Sequence, residues 1–130
     1  ALKYIQKVLT FEPNEPYYWR RYAELNYFEL GNIDEAEYGY RRAVQNGDYS
    51  YATLIEWIDL MLLTEKYQDA LPIISDVVFI YPTELDNYYR IALAYYGIGD
   101  EDNAQKYYQL GVAKAPQWQS FFESKFNFKM

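Results

Sequence analysis

The chain has 130 residues, 12 Lys and Arg against 19 Asp and Glu, a net charge of −7, and neither Cys nor His. That balance argues against a phosphate-reading nucleic-acid face and against anionic membrane surfaces. The missing residue types remove disulfides, thiolate nucleophiles, imidazole bases and the usual zinc ligands.

Taken in chain order, apolar residues recur at helical spacing between regularly placed breaks, which predicts helices over 2–11, 16–30, 34–46, 50–63, 67–80, 84–97, 101–114 and 117–127. Glu12-Pro13-Asn14-Glu15-Pro16 separates the first two helices. Gly31-Asn32, Asn46-Gly47-Asp48, Glu65-Lys66, Tyr81-Pro82-Thr83, Gly99-Asp100 and Ala115-Pro116 separate the rest. Asp34-Glu35 and Asp100-Glu101-Asp102 place acids in first helical turns, where the helix dipole favours them. In the last helix Trp118, Phe121, Phe122 and Phe126 form an apolar stripe suited to capping a stack. No apolar run approaches the roughly 18 residues of a membrane span. No signal peptide is visible, which leaves the compartment open, cytoplasmic by default. The chain begins with Ala1, as a piece of something longer would.

An alanine returns every 34 residues, at Ala36, Ala70 and Ala104. Tyr27, Met61 and Tyr95 precede these alanines at a fixed distance, and Tyr40, Ile74 and Tyr108 follow them. Gly31 and Gly99 return with the period, as do Pro82 and Pro116. Such a period marks stacked copies of one supersecondary unit. The pattern resembles the tetratricopeptide repeat. Residues 83–116 carry it best, with Tyr88, Ala92, Tyr95, Gly99, Ala104, Tyr108, Gly111 and Pro116 at the motif positions. Residues 49–82 depart from it at Ile58 and Glu65, which replace small residues. Residues 14–48 carry one extra residue between Ala23 and Gly31, and Asp48 where proline is usual. Residues 1–13 resemble the second helix of a further unit. The resemblance implies an all-α, right-handed solenoid of antiparallel helix pairs in a single domain over 1–130. It would hold about three and a half repeats (1–13, 14–48, 49–82, 83–116) and a capping helix over 117–130.

Catalysis has few candidates in this composition. The serines have no histidine to activate them, and paired carboxylates such as Asp100/Asp102 read as helix caps. The stretch Asp100–Asn103 lacks the glycine and the closing glutamate of a calcium loop. No enzyme activity, cofactor or metal is therefore expected.

The resemblance implies instead a concave groove lined by the first helix of each unit. Carried residue by residue, it assigns Tyr17, Arg20, Glu24, Tyr27 and Phe28, then Ile55, Asp59 and Leu62, then Asp86, Tyr89, Leu93 and Tyr96. Glu24, Ile55 and Asp86 stand where some members hold a carboxylate clamp, so that clamp is not expected here. Arg20 and Arg90 read as isolated cations, or Arg90 as a partner of Asp86 four residues before it. The expected partner is a peptide or protein segment with apolar anchors and some basic residues. Two readings compete with this one: self-association through the terminal helices, and a regulatory piece of a larger protein.

Overall fold

A computed structural model describes residues 1–130. It holds eight α-helices, one π-helical and one 3-10 segment, and no strand. The helices are α1 (Leu2–Phe11), α2 (Pro16–Glu24), α3 (Ile33–Gln45), α4 (Tyr51–Leu63), α5 (Tyr67–Ile80), α6 (Asn87–Gly97), α7 (Glu101–Lys114) and α8 (Gln119–Lys125). The chain divides into two compact units, Ala1–Trp57 and Ile58–Met130.

In the first unit, Ile5 and Leu9 of α1 pack with Leu25 under Tyr18, Trp19 and Tyr22. Trp19 is fixed by a bond from its indole Nε1 to the Pro13 carbonyl at 2.6 Å. Helix α2 starts on Pro16, whose absent N–H is an orphan there in any case, and the Glu15 carboxylate accepts the Tyr17 amide. Helices α2 and α3 approach closely because small residues face each other. Ala23 and Ala36 are fully buried, and a Cβ built on Gly39 would lie 2.9 Å from the Ala23 Cβ.

The extra residue between Ala23 and Gly31 takes a definite form. Leu25–Leu30 is a π-helical turn continuing α2, closed by Gly31 in the left-handed region at φ 68°. One residue more per turn is what a π-bulge accommodates.

In the second unit α6 and α7 form the corresponding pair, and their Ala92, Ala94 and Ala104 are fully buried. Gly111 of α7 leaves room for the Tyr89 ring, which would stand 3.1 Å from an added Cβ. Asp100 caps α7: its Oδ1 accepts the Asn103 amide at 3.2 Å and its Oδ2 accepts the Asn103 side chain at 2.7 Å. Helix α6 begins at Asn87 rather than at 84, because residues 81–89 are wound by successive three-residue turns. The Glu84 amide bonds to Tyr81 O at 3.1 Å and the Tyr88 amide to Leu85 O at 3.2 Å.

Glu65 stands where the other turns have glycine and adopts their conformation. Its φ is 61°, against 68° at Gly31 and 85° at Gly99. A left-handed non-glycine residue costs about 1–2 kcal/mol. Glu65→Gly is expected to raise the unfolding free energy by about 1 kcal/mol, net of glycine's larger entropy loss. A urea titration followed by circular dichroism checks it; an unchanged midpoint would mean that Glu65 is not strained.

Candidate functional site

The sequence-assigned positions fall in both units. In the first unit Tyr17 and Phe28 are the most exposed, at 60% and 66%. Tyr27 is half-buried and lies 4.7 Å from the Phe28 ring, while Ile55 is half-buried on α4. Arg20 is not an isolated cation. Its Nε lies 3.3 Å from the Glu24 carboxylate and its Nη2 3.1 Å from that of Glu56. Arg21 meets the other oxygen of Glu24 at 3.1 Å, and the buried Tyr40 hydroxyl donates to Glu56 at 2.9 Å. Burial pushes the Glu56 carboxyl up and Glu24 adds to this, against the Tyr40 hydrogen bond and Arg20, which pull the other way. Tyr40 rises further than any other tyrosine resolved, first by burial and then through Glu56.

Asp48, at the place of the usual proline, supplies a different stop. Its carboxylate accepts the Ser50 amide at 3.0 Å and the Ser50 and Thr53 hydroxyls at 2.6 and 2.7 Å, ahead of α4. Burial pushes this carboxyl up, but those hydroxyl bonds outweigh it and the net shift is down.

In the second unit most assigned positions are covered. Tyr89 is 1% exposed, Leu62 2% and Leu93 5%, leaving Tyr96 as the exposed aromatic at 49%. The cover is the chain's own C-terminal segment. Phe122 of α8 stacks on Tyr89 with centroids 5.3 Å apart, and the Tyr89 hydroxyl donates to the Ala115 carbonyl at 2.8 Å.

Arg90 lies beneath the same ring, with its guanidinium carbon 4.8 Å from the Phe122 centroid. It is only 5% exposed and fully engaged. Nε and Nη2 meet the two oxygens of Asp59 at 2.7 and 3.2 Å, and Nη1 meets Asp86 at 2.8 Å and Asn87 at 2.9 Å. The expected Asp86–Arg90 pair is therefore present, and Asp59 binds more of the guanidinium. Burial works against the Arg90 charge, and the Asp59 and Asp86 carboxylates more than offset it. Lys125 of α8 adds a second cation to Asp59 at 3.1 Å.

The C-terminal segment differs from the expected stripe. Helix α8 is preceded by a 3-10 turn at Pro116–Trp118 and ends at Lys125. Phe122 and Phe128 are buried at 2% and 5%, whereas Trp118 and Phe121 stand 41% and 45% exposed. Phe128 was not among the expected cap residues, since it falls outside the helical spacing that picked out the others. The Tyr108 hydroxyl bonds to Glu123 and accepts the Gln119 amide at 3.0 Å. Burial, then the Glu123 bond, pushes the Tyr108 phenol up to about 12.

Paired helices with small residues at the contact, glycine or left-handed turns between them and a terminal capping helix define an all-α, tetratricopeptide-like fold. Solved structures of MamA share it. MamA from residue 41 to its end, from Desulfovibrio magneticus RS-1, is 21% identical over 98% of this chain and 75% of that one, at TM-score 0.76. Two further MamA crystal structures are 18% identical, covering 97% and 100% of this chain and 72% and 68% of theirs, at TM-scores 0.77 and 0.74. At such identity the likeness is one of fold. No family model and no curated protein matches the chain. No helix is long and apolar enough to cross a membrane.

Proposed function

We propose that the chain is a non-catalytic protein-interaction module whose helix faces receive partner segments with apolar anchors and basic residues. The observation that carries this reading is the α2 face of the first unit. Tyr17 of α2 and Phe28 of the π-helical turn that continues it are large aromatics left mostly in water, on the same helical run as Arg20 and Glu24, whose half-buried ion cluster includes Glu56. Exposed aromatic surface rimmed by charge is characteristic of contact sites, and a net charge of −7 draws basic segments towards it. Tyr89 and Leu93 are unsuitable probes of binding, because both are buried and their loss would strike the core.

The test is affinity capture from source-cell lysate with the wild type beside Tyr17→Ala/Phe28→Ala. A protein held by the wild type and lost by the folded variant is expected. Equal recovery from both, or none from either, would sink the reading.

Self-association has its own support. Tyr4 and Phe11 of α1 are 65% and 77% exposed, and Trp118 and Phe121 form a second exposed aromatic pair. Mass measured by light scattering against concentration separates this alternative. It is abandoned if the wild type stays monomeric, or if Phe11→Asp and Phe121→Asp leave a dimer unchanged.

A further inference from the structure

Helix α8 ends in a turn that delivers one side chain to a defined place. Asn127 adopts φ 49°, a region that asparagine tolerates better than most residues. The Asn127 amide bonds to Ser124 O at 3.4 Å and the Phe128 amide to Glu123 O at 3.0 Å. This pair of bonds is the Schellman cap, which reverses the chain and brings the residue after the left-handed position back onto the structure. Phe128 lands edge-on against two rings, Tyr96 at 5.4 Å and Tyr108 at 5.8 Å.

The seat lies at the edge of the core, with Tyr108 buried on one side. Its wall Tyr96 is half exposed, and among residues 123–130 only Phe128 is buried. Two clefts adjoin it. One of about 410 Å³ is bounded by Tyr96, Glu101 and Asp102 and reached by Lys129. The other, about 380 Å³, is lined by Leu62, Leu63 and Leu93. The resident segment thus sets an aromatic against an aromatic seat, and its Lys129 lines the same cleft as Glu101 and Asp102.

Helix α8 itself is anchored, by Phe122 on Tyr89, by Lys125 on Asp59 and by the Tyr108–Glu123 bond. Beyond it Phe128 is the single buried side chain. A stretch held by one buried residue belongs to the low-stability end of a structure, where local opening is easiest.

We propose that the Tyr96–Tyr108 seat is a recognition site for a partner segment carrying an aromatic residue followed by a basic one, and that Phe128–Lys129 occupies it in cis until such a segment replaces it. The proposal rests on the reading of the chain as an interaction module and names the chemistry of one partner. A tethered ligand acts at an effective concentration of the order of millimolar, so the free site is masked in the resting chain.

The probe is a fluorescent peptide of residues 122–130, FESKFNFKM, titrated by anisotropy against the full chain and its Phe128→Ala variant. The variant is expected to bind at least ten-fold more tightly than the wild type. Binding should be lost when the peptide carries Phe128→Ala or when the protein also carries Tyr96→Ala. It should weaken at least three-fold when the peptide carries Lys129→Glu. A folded Phe128→Ala chain that binds no better than the wild type overturns the proposal.

Should that variant fail to fold, hydrogen exchange of the wild type decides. Amides of Asn127 and Phe128 are expected to exchange at least 100-fold faster than those of α6, and equal protection overturns the proposal. The peptide titration needs no outside partner. Its failure beside a protein captured through Tyr17 and Phe28 sinks the Tyr96–Tyr108 seat alone, whereas no capture by either chain sinks the parent reading.

Discussion

Replacing Arg90 by methionine is expected to lower the unfolding free energy by about 3–5 kcal/mol, the usual effect of removing one partner from a buried ion cluster. The guanidinium is 5% exposed and divides its donors among Asp59, Asp86 and Asn87. Methionine keeps much of the volume under the Phe122 ring, so the loss isolates charge rather than packing. Asp59 retains Lys125, but Asp86 keeps no ion-pair partner in the cluster. Adding Asp59→Leu and Asp86→Leu should recover a large part of the deficit, since an all-apolar replacement of a buried ion cluster is often neutral or stabilising. Urea titrations of the single and triple variants at neutral pH decide it. A single variant within about 1 kcal/mol of the wild type would mean that water reaches the carboxylates and the cluster is not a buried one.

The second large effect is expected at Gly39. Helix propensity alone favours alanine over glycine by about 1 kcal/mol, and sequence reasoning would therefore rank Gly39→Ala as stabilising. The added methyl would stand 2.9 Å from the Ala23 Cβ and 3.0 Å from the Ala23 Cα and N. Those are backbone atoms of α2, which cannot rotate aside, so α2 and α3 must separate. Overpacking of this kind costs about 1–3 kcal/mol, so the net change is destabilising. Removing the opposing methyl with Ala23→Gly should relieve part of the clash. The double variant is then more stable than the sum of the singles predicts, a coupling that a double-mutant cycle reads directly. Simple additivity would show that α2 and α3 do not press on one another at this point.

Most of the fold could be read from the periodicity of the chain. Helices α1, α5 and α7 begin and end where the spacing puts them; Pro13, Pro82 and Pro116 follow their C-terminal ends, and Gly99-Asp100 marks the start of α7. The misses have physical causes. The spacing puts the start of α6 three residues early, because tight three-residue turns carry the same local spacing as a first helical turn. Gly39 carries no sequence signal as a contact residue, since a glycine inside a helix shows no period and its role exists only opposite Ala23.

The candidate surfaces were harder to read. The resemblance named the helix faces but not what covers them, and Tyr89 and Leu93 turned out to lie beneath the chain's own C-terminal segment. The spacing offers Asp86 to Arg90 and Glu24 to Arg20, but the further partners Glu56 and Asp59 lie 36 and 31 residues away from Arg20 and Arg90. No local rule pairs residues at such separations. Phe128 was invisible to helical spacing because a left-handed asparagine, not a helix, places it.

The π-helical turn at Leu25–Leu30 has a consequence for how the chain can be aligned. In a regular α-helix each added residue rotates all that follows by about 100° around the axis. An insertion would then turn a buried face outward. Here the surplus residue is taken up as a local widening, and Ala23 before it and Ala36 after it both remain fully buried. In the language of reading frames, the chain carries a one-residue insertion without a frameshift. Residues before Leu25 and after Leu30 can each be mapped onto the 34-residue ruler, provided that the count is restarted between them.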